Sequence, residues 1–205
     1  MHAALRAVLA IAILVVLASR AIAQPGVKAD PDWPCQQIKT PTFSLASVWS
    51  GPELDLNSQS WRDESDIADL TAKMAERRVP IADVEQAIAD FKAKAGADAK
   101  LLRAFAAAFQ DLSQQRSQIL DGLERFGRKQ RAMADRILAE NEAVQETADQ
   151  NREGQAPSGA DAQERLQWDI RVFDDRRQTI GYVCETPTLI EQRIGAIARA
   201  VQKAL

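Results

Sequence analysis

Two cysteines, Cys35 and Cys184, are the residues whose types point to a definite covalent chemistry. Neither lies in a Cys-x-x-Cys pair, so their spacing matches no metal or redox motif. In an exported chain an even pair normally oxidises, and one structural disulfide is the expected outcome. It would tie the proline-rich segment around Cys35 to the corner of the C-terminal helices.

Histidine is the informative absence. The single one, His2, sits in a segment expected to be removed, which leaves no imidazole in the mature chain. Acid–base catalysis by histidine, Ser–His and Cys–His nucleophiles, and most zinc and di-iron sites are thereby disfavoured. No glycine-rich phosphate loop and no GxSxG occurs. Carboxylate neighbours (Asp63/Glu64, Glu140/Glu142, Asp174/Asp175) have the right type for a glycosidase pair. Set side by side on helices, they read better as solvated charges. The expectation is therefore no catalytic residue, no metal ligand and no cofactor.

Two further features read as surfaces. Arg125, Arg128, Lys129, Arg131 and Arg136 form a basic run, partly offset by Glu124 and Asp135. A solvated face is the simpler reading, and contact with anionic lipid headgroups the alternative. Trp168 and Val172 point away from the apolar face made by Leu166, Ile170 and Phe173, so that helix is apolar on two sides. Either Trp33 or Trp49 covers the second side, or it is an exposed aromatic patch for a partner. Trp168, Val172, Arg128 and Arg131 form the candidate partner surface.

The elements that must position these residues are helical. From Leu102 to Val144, steps of three and four pass through Leu102, Phe105, Phe109, Leu112, Arg116, Ile119, Leu123, Phe126, Gln130, Met133, Ile137, Glu140 and Val144. Ten of these are apolar, where a chain with 46% hydrophobic residues would give about six. No proline interrupts the stripe, so one helix is expected from about residue 98 to 151. Its polar members, Arg116, Gln130 and Glu140, either pair with a facing helix or mark a seam exposed toward the tip.

The rest is arranged around that helix. Ser60, with Asp63, can cap a first helix bearing Ile67, Leu70 and Met74 inward. Pro80 opens a second along Ile81, Val84, Ile88 and Phe91, and Gly96 ends it. The run Gly154 to Ala160 is the clearest break. Beyond it come a helix ended by Gly181 and a last one capped by Thr186, with Pro187 at its first position. A turn at 154–160 would fold these two back antiparallel to the long helix. Cys184 would then face residues near 128, where Gly122 and Gly127 either make room for the proline-rich segment or are surface positions. The fold class expected is an all-α helical bundle, with one long central helix forming an antiparallel coiled-coil-like hairpin with two C-terminal helices. An irregular arm over 24–60, with Pro25, Pro31, Pro34, Pro41 and Pro52, lies against a bundle over 61–205.

Residues 1–23 have the form of a secretory signal: Arg6, the apolar run Ala7 to Ala18, then Ala21-Ile22-Ala23 before Gln24. An uncleaved membrane anchor is the alternative. Without Arg6 and Arg20 the chain carries 24 basic against 29 acidic residues, net −5. That balance and export argue against a nucleic-acid partner. The function expected is an exported, non-enzymatic helical interaction protein (adaptor, scaffold or envelope-assembly component), periplasmic in a Gram-negative host or otherwise extracellular. Its partner is an unidentified protein, with dimerisation and proximity to a membrane surface both open. The rivals are a periplasmic holdase-type chaperone, with apolar side chains exposed along the hairpin, and a small-ligand sensor with a pocket near Phe105, Phe109 and Trp61.

Overall fold

The stripe beginning at Leu102 decides the architecture, because it is too long to be buried by anything but another long helix. The structure, a computed structural model, describes residues 30–95, 97–152 and 160–205. Residues 1–29, with the expected signal segment, Gly96, and residues 153–159, where the turn is expected, lie outside the described residues. Among the described residues there is no strand, and four α-helices occur: α1 (Ser65–Ala75), α2 (Ile81–Ala95), α3 (Asp98–Arg152) and α4 (Ala160–Ala204). Pro31–Leu205 form one compact unit. The 55 residues of α3 extend roughly 80 Å. None of the thirteen stripe positions is exposed; Phe105, Phe109, Leu112, Arg116, Leu123 and Met133 are buried and the rest half-buried. The polar seam members Gln130 and Glu140, near the tip, are half-covered.

What covers the stripe is α4, running antiparallel to α3. Arg116 Nε donates to Glu191 Oε1 at 2.6 Å, Gln130 Nε2 to the Phe173 carbonyl at 3.3 Å, and Arg136 Nε to Asp169 Oδ2 at 2.9 Å. This register brings Cys184 level with Leu120, about two helical turns from residue 128.

The expected break between two C-terminal helices is absent. Residues on either side of Gly181 and Thr186 belong to one continuous helix, with Pro187 buried inside it. Gly181 is an exposed helical position with no atom near a Cβ built on it. Thr186 Oγ1 donates back to the Tyr182 carbonyl at 3.4 Å instead of capping a new start. Proline in a helix interior costs about 3 kcal/mol. Packing on both sides of it outweighs that cost, since Cys184, Ile190, Ile194, Ile197 and Val201 are all buried.

At the end remote from the turn, α1 and α2 pack against the first turns of α3 and the last of α4. Ile67, Met74, Val84, Ile88, Phe105, Ile194, Ile197 and Val201 are shut off from solvent together there. Arg193 supplies the missing C-cap of α1. Its Nε donates to the Met74 carbonyl (2.8 Å), Nη2 to that of Lys73 (3.2 Å), and Nη1 to that of Val79 in the following turn (2.8 Å). Burial pulls Arg193 down from the ordinary guanidinium value.

The start of α1 also departs from expectation. Ser60–Asp63 form a short 3-10 turn, and α1 begins at Ser65 with Glu64 at the N-cap position, making no side-chain cap bond. The Glu64 carboxylate is engaged elsewhere, by Arg103 Nη1 at 2.5 Å and Lys100 Nζ at 3.0 Å on α3. Those hydrogen bonds, Lys100 first and then Arg103, hold Glu64 below the usual carboxylate value; Lys100 does the same for Asp66.

Candidate functional site

Proline at its density forbids a regular helix in residues 30–59, and apart from a 3-10 turn at Leu45–Ser47 that segment is irregular. Its anchors are nonetheless placed one after another down the hairpin. Asp32 pairs with Arg131 and, at 3.8 Å, with Arg128. Cys35 is bonded to Cys184 across 149 residues, with Cα atoms 5.6 Å apart. The Gln37 amide donates to the Cys184 carbonyl, and Lys39 pairs with Glu124. Phe43 stacks on Phe109 with centroids 6.4 Å apart, and Trp49 lies 4.7 Å from Phe105. The arm thus runs antiparallel to α3, and its rings lie on Phe105 and Phe109, two of the three residues around which the rival small-ligand reading puts its pocket.

Arg116 is the hinge pin of this side. It is 2% exposed. Besides Glu191, it donates to the carbonyls of Thr40 (Nη2, 2.6 Å) and Pro41 (Nη1, 3.3 Å). One guanidinium joins α3, α4 and the arm, using the five-donor fork that only arginine offers. Its place at a core position of the apolar stripe is the trace visible in the sequence, although the arm carbonyls it serves are not. Gly127 has an equally definite reason: a Cβ built there would overlap the Asp32 carbonyl. Gly122 meets only the Arg125 side chain at 3.8 Å and needs no such account. The expectation for the two glycines therefore divides between them.

The opposite side of α4 is largely open to solvent. Neither Trp33 nor Trp49 covers Trp168. Trp33 Nε1 donates to the Gln37 carbonyl within the arm, and Trp49 is spent on Phe105. Trp168 is 60% exposed, with the Arg171 guanidinium of its own helix 5.9 Å from the ring centroid, and Val172 is half-buried. Alternating steps of four and three lead from Trp168 through Val172, Asp175, Thr179, Tyr182 and Thr186 to Leu189. That is a heptad stripe on the side of α4 away from Leu166, Phe173 and Cys184. Tyr182 is 80% and Leu189 57% exposed. The part beyond Thr179 escapes a reading that ends a helix at Gly181. Arg128 and Arg131, by contrast, lie on the arm's side of α3 and pair with Asp32. The structure does not bring them together with Trp168 and Val172 into one surface.

Chemistry that needs a cluster of ligating side chains has little to build on. Among the described residues no group of three or more His, Cys, Asp or Glu is placed to hold a metal ion. Both cysteines are committed to the disulfide. Among the same residues no helix is long and apolar enough to cross a membrane. Compared with protein-family models, with curated proteins and with solved structures, the chain matches none.

Proposed function

We propose that this chain is an exported, non-enzymatic interaction protein, an adaptor, scaffold or envelope-assembly component that docks a protein partner on the outer face of α4. The observation that carries the reading is Trp168, 60% exposed on a heptad-spaced stripe of a helix whose opposite side packs on α3 and the arm. Exposed aromatics on a rigid helix are the type of side chain that anchors protein interfaces. The signal-like segment 1–23 and the Cys35–Cys184 disulfide support export, to the periplasm where the host is Gram-negative. The net charge of −5 after signal removal argues against nucleic acid.

A holdase would use the same exposed side chains, together with Leu138, which is 62% exposed on α3. The regular spacing on α4 favours a defined partner over a grip on unfolded chains. The test is photo-crosslinking in the native envelope, with a benzophenone amino acid at position 168 or 182 and a control at 111 on α3. The reading expects discrete adducts from 168 and 182 and none from 111. Equal labelling from all three positions, or a smear of many clients, would defeat it.

A further inference from the structure

We infer that the occupant of this face is a second copy of the chain, docked about a two-fold axis. The two α4 helices run antiparallel, and each Trp168 indole enters a groove beside Thr186 and Leu189 of the other copy. The inference rests on the reading of the α4 face as a docking surface and names its partner.

A two-fold interface requires a patch that complements itself. The outer face of α4 has both halves of such a match. At one end stands the exposed indole of Trp168. At the other, Thr186 and Leu189 line an open groove of about 460 Å³ with Ile81, Ala196, Arg77 and Arg193, large enough for an indole. The two ends lie on one heptad stripe, 18 residues or about 27 Å apart along the helix. An antiparallel pairing with its axis beside residue 177 sets Trp168 against Thr186 of the second copy, Val172 against Tyr182, and Asp175 against Thr179. Symmetry repeats each layer.

The charges flanking the stripe choose the orientation. In the antiparallel register Arg171 faces Glu185 of the second copy, twice over, and Gln178 meets its own counterpart on the axis. Arg176 flanks the other edge but is turned inward, its Nη1 3.5 Å from Met133 Sδ on α3. A parallel pairing instead stacks Asp175 on Asp175 and sets no carboxylate of the second copy against Arg171, so it gains a like-charge contact and loses both ion pairs. Trp168 on one copy and Ile81 and Leu189 on the other supply the apolar contact that a stable pair needs.

The experiment is sedimentation equilibrium of the exported, disulfide-bonded protein, with Arg171→Glu, Glu185→Arg and the double exchange, joined to photo-crosslinking from position 168. The expected result is a dimer that each single exchange weakens at least about tenfold and the double exchange restores to within about threefold. Crosslinks from 168 should map to peptides holding Ile81 or Leu189. A chain that stays monomeric to about 1 mM overturns the inference, as does a dimer indifferent to both exchanges or one crosslinked elsewhere. A monomer whose position 168 captures a different envelope protein overturns the second copy alone and leaves the docking face standing. A monomer that captures nothing defeats both.

Discussion

The two sides of α4 could hardly be more differently used. Cys184 faces the arm and is buried in a disulfide, while Tyr182, two residues earlier, is 80% exposed. On the arm's side each anchor has a fitted counterpart: Asp32 on Arg131, Thr40 and Pro41 on Arg116, Phe43 on Phe109, Trp49 on Phe105. On the outer side an equally regular row leaves Trp168, Tyr182 and Leu189 largely exposed. A helix can thus carry two apolar faces for two reasons, one serving the fold and one spare. Burial tells them apart where composition does not.

That contrast can be broken from its strongest member downward. Reducing Cys35–Cys184, or replacing both cysteines by serine, should cost up to about 5 kcal/mol, since the bond closes a loop of 149 residues. Denaturant midpoints with and without reductant measure it. Arg116→Ala strands Glu191 and two arm carbonyls and should cost about 3–5 kcal/mol. A loss under about 1 kcal/mol would mean the arm is held without it. Gly127→Ala should cost about 1–3 kcal/mol by pushing the arm off α3, whereas Gly122→Ala should stabilise slightly, by up to about 1 kcal/mol. Trp168→Ala, on the spare side, should change the unfolding midpoint of the dilute, monomeric protein by no more than about 0.5 kcal/mol equivalent.

Acid provides a finer probe of the fold end. Glu64 and Asp66 titrate below their ordinary values of 4.5 and 3.8 because Lys100 hydrogen-bonds both charged forms and Arg103 that of Glu64 as well. In the window between the unfolded and folded values the unfolded chain binds more protons, so stability falls as pH drops through the folded values. The effect is small, both carboxylates being at the surface. Glu64→Gln should flatten the acid limb of a stability–pH curve, and an unchanged limb would remove this cluster from the account.

How much of this was legible beforehand follows from what each residue needs. The long helix was readable because thirteen stripe positions repeat one period without a proline, and none of them is exposed. The disulfide was readable because two cysteines leave one pairing, and the signal-like segment made oxidation the expectation. Pro187 misled because its local cost is real, and the packing of Cys184 before it and of Ile190 to Val201 after it overrides that cost. Ser60 misled because the capping pattern is local, whereas Lys100 and Arg103 take the Glu64 carboxylate from a distant helix. The pairing of Arg128 and Arg131 with Asp32 lay beyond pattern, since an irregular arm has no period to announce its register. Trp168 left two outcomes open that periodicity does not separate, and coordinates do.

The central claim is that the outer face of α4 is free in the fold and filled by a partner. Hydroxyl-radical footprinting of the dilute purified protein and of the same protein in its native envelope tests it in one comparison. Trp168 and Tyr182 should be oxidised when the protein is alone and protected in the envelope, with Trp49 and Phe43 shielded in both. Protection of Trp168 in the isolated, dilute chain, or equal oxidation in both settings, would contradict the claim.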